Sequence, residues 1–347
     1  MPDLVDPDAT APQVGAFDAP LTEPNIEDAR IAHTLSPLAG VPVLGRVESA
    51  YRQRFRLKSW QYMTAVTDEL FIAFAIGTAG FASNGFVYAV ELPRGTLHKK
   101  FAITPLSVGV QLAPTSTSGG HRFHTRGLEI AIESRNGRGF ATRIDGITEE
   151  GRPLAVRLDF GSAPGDEHLA ICVPLPGGRW NYTHKFMAFA VSGEVAIGGN
   201  RYQFTPGAWG TMDFTKMYAL RHAVWRWVAL CGKSKQGATV GLNLVDPTPD
   251  APVSENAAWI DGKLEPLADV RLTAAEDVVR PWSIEAASVD VTSRAIAQVE
   301  QKLDIPLVRH RLRHVVSAFS GHVRTRSGHV HDLVDVVGIA EDNDTWW

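Results

Sequence analysis

Residues 54–92 read RFRLKSWQYMTAVTDELFIAFAIGTAGFASNGFVYAVEL. Phe55, Leu57, Ser59 and Gln61 alternate with Arg56, Lys58, Trp60 and Tyr62, which is the two-residue period of a strand. Leu70–Gly77 and Phe86–Leu92 are apolar runs of strand length, rich in β-branched and aromatic residues. Together these three segments predict a β-meander. Asn84-Gly85 predicts the hairpin turn before the third, because both residues tolerate positive φ.

The same pattern continues outward. His121–Glu133, Gly139–Ile144, Leu154–Phe160, Ala170–Pro174, Phe186–Val191, Glu194–Ile197 and Arg201–Phe204 are strand candidates. Glycine-containing turns divide them, at Asn136-Gly137, Glu150-Gly151, Ser192-Gly193 and Gly198-Gly199-Asn200. Leu220–Leu230 and Val289–Leu303 compete for helix. The first reads as a strand because Trp225 and Trp227 alternate around Arg226, and the second stays open. No βαβ rhythm and no Gly-rich phosphate loop occurs. Trp60 and Trp227 each precede an apolar run, a loop and a further strand, a weak echo of duplication. The pattern predicts an all-β chain in three parts: a Pro-rich irregular arm (1–45), a first β half (46–165, ended by the hinge-like 161–167) and a second β half (166–347) carrying the candidate site.

With 347 residues, 44% of them hydrophobic, the chain can bury a large core. A net charge of −4 argues against a bulk nucleic-acid binder, although His121–Arg126 forms a small basic-aromatic patch. Cys172 and Cys231 form no metal or disulfide motif and read as buried thiols. The first residues are acidic and carry no leader pattern. The longest apolar run, Phe71–Ala82, is far short of the roughly 20 residues of a membrane helix. A soluble cytoplasmic protein is expected, with no integral membrane segment.

Five of the nine tryptophans fall between Trp180 and Asp261, beside acids, amides, a histidine and a lysine. If Trp180–Phe186 is a strand, Trp180, Tyr182, His184 and Phe186 share one face, and Asn181, Thr183 and Lys185 the other. That arrangement suits a ligand wall with His184 or Lys185 as polar handle, or a strand with one face in the core. Asp213, close to Trp209, suits a proton donor whose acidity is weakened by desolvation, or a turn aspartate paired with Lys216 or Arg221. Trp225 and Trp227 can line a cavity or fill it. Glu255, Asn256, Trp259 and Asp261, with Asn243 on a neighbouring strand, suit an acid–base pair beside a ring, although Asp261-Gly262 equally makes a turn. His329 and His331 lie on one strand face, with His310, His314 and His322 upstream. No third metal ligand is fixed by the pattern, so no metal and no cofactor is expected.

An ordered set of motifs carries a resemblance: Trp180-Asn-Tyr-Thr-His-Lys185, Trp225-Arg-Trp227 leading to Gly241-Leu-Asn243, Glu255-Asn256-Ala-Ala-Trp259-Ile-Asp-Gly262, and Phe319-Ser-Gly321 followed by Gly338-Ile-Ala-Glu341-Asp342 and Trp346. The chain from about residue 30 onward resembles the family called domain of unknown function 2804. More distantly it resembles the double lipocalin-like β fold of AttH-like proteins, carotenoid hydratases and tocopherol cyclases. The resemblance implies two tandem antiparallel β-barrel halves and an apolar ligand. Three functions remain open. One is a lipid- or isoprenoid-binding protein that acts as an acid-catalysed hydratase or cyclase. In it Asp213 or Glu255 donates a proton, Trp225, Trp227 and Trp259 shelter a cation, and Tyr182, His184 or Asn243 position water or a hydroxyl. The second is a lipid carrier without chemistry. The third is a carbohydrate hydrolase using Asp213 and Glu255 as paired carboxylates.

Overall fold

The computed structural model describes residues 4–6, 11–29, 41, 43–45, 47, 55–106, 108–246, 251–267, 270–273, 282–305 and 308–347. Several of the prolines that define the arm and the later Pro-rich loop (Pro2, Pro7, Pro37, Pro42, Pro247 and Pro249) lie outside them. The described chain is nearly all β and forms two curled antiparallel sheets, each a half-barrel.

The first sheet takes β1 (Gly15–Phe17), β2 (Leu57–Val66), β3 (Leu70–Thr78), β4 (Ala82–Glu91), β5 (Thr96–Pro105), β6 (Val110–Gln111), β7 (Gly120–Thr125) and β8 (Leu128–Ser134). It continues with β9 (Gly139–Ile147), β10 (Pro153–Gly161), β11 (Leu169–Leu175), β12 (Arg179–Ile197), β13 (Asn200–Phe204) and β14 (Trp209–Tyr218). The second sheet takes β15 (His222–Lys233), β16 (Thr239–Val245), β17 (Ala257–Ile260), β18 (Lys263–Pro266), β19 (Arg271–Thr273), β20 (Ser283–Ala286), β21 (Val289–Ile305), β22 (Val308–Arg324) and β23 (Val330–Trp346).

The main path of the first sheet is β5-β4-β3-β2-β14-β12-β10-β9-β8-β7-β6, so the early meander is joined to the late strands where β2 pairs with β14. The path of the second is β18-β17-β16-β15-β23-β22-β21-β20-β19. The chain leaves one sheet for the other at residues 219–221. The boundary expected at 165/166 falls inside the first sheet, between β10 and β11.

Three local expectations are corrected. Asn84-Gly85 is not a turn; both residues lie inside β4, opposite Gly77 and Ile76. Gly85 is needed for packing, because a Cβ there would stand 2.3 Å from the Phe123 ring. Ser192-Gly193 does not end a strand either. β12 runs through it, with Gly193 at φ 126° pressed against the Arg157 carbonyl. His121–Glu133 is two strands, turned at Arg126-Gly127. Leu220–Leu230 forms most of β15, and Val289–Leu303 is strand β21.

The first core is aromatic. Phe186 meets Phe189 edge-on at 4.7 Å and Phe189 meets Phe160 at 6.0 Å. Trp259 of the second sheet inserts into this nest, 6.2 Å from Phe186, and donates its indole N–H to the Glu167 carbonyl at 2.7 Å. The arm also contributes to this core: Leu4, Leu21 and Ile26 are buried in it, β1 pairs with β11, and Lys216 reaches the Pro24 carbonyl and Glu27.

The sheets approach closely where β16 crosses the bulge in β12. A Cβ on Gly241 would lie 2.0 Å from the Met187 carbonyl oxygen. Gly241→Ala is therefore expected to cost about 1–3 kcal/mol in urea unfolding, because backbone cannot yield as a side chain can. Gly161→Ala, where nothing lies within 4 Å, should stay within about 0.5 kcal/mol. Equal effects would contradict the close crossing.

Candidate functional site

The facing surfaces of the two sheets enclose a partly open cavity of about 510 Å³. The first sheet lines it with Lys58, Trp60 and Tyr62 of β2, Asp213, Thr215 and Met217 of β14, and Asn181 and Lys185 of β12. The two-residue strand period explains each set. The second sheet contributes Trp225 and Trp227 of β15, Glu341, Asn343 and Thr345 of β23, and His310, Leu312 and His314 of β22, with Glu255 entering just before β17. Trp60 and Trp225 stack across the gap, 6.3 Å apart and 9° from parallel. The Tyr62 ring meets Trp227 edge-on at 5.5 Å.

One end of this cavity is charged. Lys185, only 5% exposed, pairs with Glu255 at 2.7 Å and stands 3.6 Å from Asp213, over the Trp227 ring. Burial opposes its charge, but Asp213, Glu255 and Glu341 outweigh burial and raise its pKa. Asp213 accepts hydrogen bonds from Trp60 Nε1 (3.1 Å), Thr183 Oγ1 (3.2 Å) and Thr215 Oγ1 (2.9 Å). Trp227 Nε1 donates to Asn243 Oδ1, and Asn243 Nδ2 donates to the Glu255 carbonyl, each at 2.7 Å.

Beside the lysine runs a second chain of contacts. Glu341 accepts from Trp225 Nε1 and meets His314 Nε2 at 2.6 Å. His314 Nδ1 is 3.0 Å from the Tyr88 hydroxyl, which is 3.2 Å from that of Tyr62. Burial raises the Glu341 pKa, yet His314, Trp225 and Lys185 together hold it below the ordinary value. Both phenols are pushed up, mainly by burial.

The sequence profile of the family described as domain of unknown function (DUF2804) matches residues 4–347. The chain belongs to this family. No curated protein matches this DUF2804 chain. Three solved structures are similar to it in fold. A candidate AttH from Nitrosomonas europaea is 13% identical, with a TM-score of 0.47 over 83% of this chain and 92% of that one. Kievitone hydratase from Nectria haematococca is 9% identical, with a TM-score of 0.47 over 95% and 97%. CghA with Sch210972 is 11% identical, with a TM-score of 0.43 over 84% and 88%.

Of the residues singled out in the sequence, Asn181, Lys185, Asp213, Trp225, Trp227 and Glu255 converge on the cavity of the DUF2804 chain. Asn243 braces two of them from behind. Asn256 holds the Val245 N–H, and Trp259 serves the first core. Trp209 lies under Lys233, outside the cavity lining, as does Trp180. Tyr182 faces the arm, its hydroxyl accepting from Leu21 N at 3.1 Å. His184 lies on the same face, between Ser116 and His168. The cavity thus receives the polar face of β12, and the aromatic face fills the first core. Asp213 pairs with Lys185, while Lys216 pairs with Glu27. The His121–Arg126 patch divides between two faces: His121 and Phe123 are buried, and Arg122 pairs with Glu133 outside. His329 is exposed beside Ser327, and among the described residues no three metal-type side chains cluster. Both cysteines are buried free thiols. Among the described residues no helix is long and apolar enough to cross a membrane.

Sequence reasoning missed Trp60, Tyr62 and Glu341 as site residues and considered His314 only for metal. Glu341 had one usable signal, an acid placed directly after the apolar run Val336–Ala340.

The buried histidines set a pH dependence. Burial lowers the pKa of His121 and His168 to about 4, and burial with His168 nearby lowers that of His184 well below 6.5. The unfolded chain takes up these protons near pH 6.5, and the folded chain does not. Stability should be full above pH 6.5 and fall toward pH 4, with a slope of up to about 4 kcal/mol per pH unit for three protons. Urea unfolding at pH 7, 6 and 5 measures it, and a flat profile would contradict neutral burial.

Proposed function

We propose that this DUF2804 chain binds an apolar small molecule, of lipid or isoprenoid type, between its two sheets and performs acid–base chemistry on it of the hydratase or cyclase kind. The observation that carries this reading is the contact chain Glu341–His314–Tyr88–Tyr62, which starts at a buried carboxylate and ends on the wall of an aromatic cavity.

Glu341, held anionic, takes the Nε2–H of His314 and so keeps Nδ1 turned toward Tyr88. When Nδ1 is bare it accepts from Tyr88, which accepts from Tyr62, and a proton released in the cavity can be drawn inward. When Nδ1 carries a proton the same line runs outward, and Tyr62 becomes the donor. In a hydration, the proton delivered through Tyr62 adds to an alkene carbon. Water joins the resulting cation, and the surplus proton of that water returns along the same line. The faces of Trp60, Trp225 and Trp227 suit such a cation. Asp213 and Glu255, engaged with Lys185 and their own hydrogen-bond donors, suit electrostatic and anchoring roles better than proton donation.

Native mass spectrometry with organic extraction, on protein purified from a lipid-rich host, tests the ligand. A co-purifying isoprenoid or acyl lipid is expected. Turnover of that compound should fall by about 10²-fold or more in Tyr62→Phe, with binding kept within about threefold. A bound lipid that the wild type never converts would leave a carrier. An empty cavity together with a shift on adding oligosaccharides would replace the reading with a carbohydrate site.

A further inference from the structure

The cavity has a second end, chemically unlike the first. Lys58 lies on β2 two residues before Trp60 and four before Tyr62, and all three line the cavity. At about 3.3 Å per residue, Lys58 stands roughly 13 Å from Tyr62. Its ammonium donates to the Phe55 carbonyl (2.8 Å) and the Ala79 carbonyl (2.7 Å). An ammonium has three donors, so one is left over. The Phe81 and Trp347 rings flank it at 5.0 and 5.1 Å. It is 2% exposed, and among the described residues no carboxylate pairs with it. Lys185, by contrast, brings its own acids.

Trp347 supplies a second donor. Its Nε1 is buried, has no hydrogen-bond partner among the described residues, and belongs to a ring that lines the same cavity. One donor position of Lys58 and the indole N–H of Trp347 thus stand at this end of the cavity with no acceptor among the described residues. Arg56 and Arg221 add positive charge close by. After burial, the largest cause, these two arginines lower the Lys58 pKa to about 7. Burial and like charge both disfavour the ammonium form of Lys58, and an anion bound beside it would favour that form again.

We propose that this end is an anion anchor, in which Lys58 Nζ and Trp347 Nε1 hold the carboxylate of an elongated apolar acid whose other end reaches Tyr62. The proposal rests on the reading that the cavity takes an apolar molecule, and it names that molecule's polar end. A carboxylate offers one oxygen to each donor, and the aromatic walls between the two ends take the apolar body.

Calorimetric titration with dodecanoate and with dodecanol tests it. The wild type should bind the acid about tenfold or more tighter than the alcohol. Lys58→Met should bring the two within about twofold. Trp347→Phe, which keeps the ring and removes the N–H, should narrow the difference without abolishing binding. At pH 8 the wild type should take up a proton on binding the acid, because the anion draws the Lys58 amine back to ammonium, and Lys58→Met should not. Equal binding of acid and alcohol by the wild type, or an unchanged preference in Lys58→Met, would overturn the anchor and leave the apolar cavity standing. Failure of both compounds to bind the wild type would overturn both.

Discussion

A buried ammonium holds its charge best among opposite charges, and Lys185 is buried at the seam of two sheets. One of its acids, Asp213, comes from its own sheet, and Glu255 comes from the segment leading into the other. That requirement ties the sheets together at a fixed place. Each acid in turn needs its own partners: Trp60, Thr183 and Thr215 for Asp213, and His314 and Trp225 for Glu341. The charged end of the cavity follows from answering one lysine.

The walls follow from a different constraint. Large rings on facing strands cannot interdigitate fully, and the stack of Trp60 on Trp225 with the edge contact of Tyr62 on Trp227 leaves space beside it. The space is lined by aromatic rings, has an acid-paired lysine at one end, and has at the other a lysine with no carboxylate partner among the described residues. A uniformly apolar cavity offers burial alone. This one has two chemically unlike ends, which under the proposed function would set the direction in which a molecule lies.

Much of the fold was legible because strands declare themselves locally. The alternation through Leu57–Val66 and the apolar run Leu70–Thr78 needed no knowledge of their partners. Gly85 and Gly193 misled because a glycine that admits a neighbour's atoms looks, in sequence, like one that makes a turn. Half of the site was visible for the same local reason: the strand period put Asn181, Thr183 and Lys185 on one face. Of the two readings open for the aromatic face, ligand wall or core, the structure puts Tyr182 and His184 with the first core. Tyr62, His314 and Glu341 stayed hidden because β2 meets β14, and β22 meets β23 beside β15, only through long-range pairing. No local period encodes that register.

In the proposed function, Glu341 fixes His314 so that Nδ1 faces the tyrosines and the cavity. Nitrogen-15 NMR of histidine-labelled protein measures it directly. Nε2 of His314 should carry a proton, given to Glu341. A His314 whose only ring proton sits on Nδ1, with Nε2 bare, would contradict this arrangement, because Nδ1 could then not accept from Tyr88.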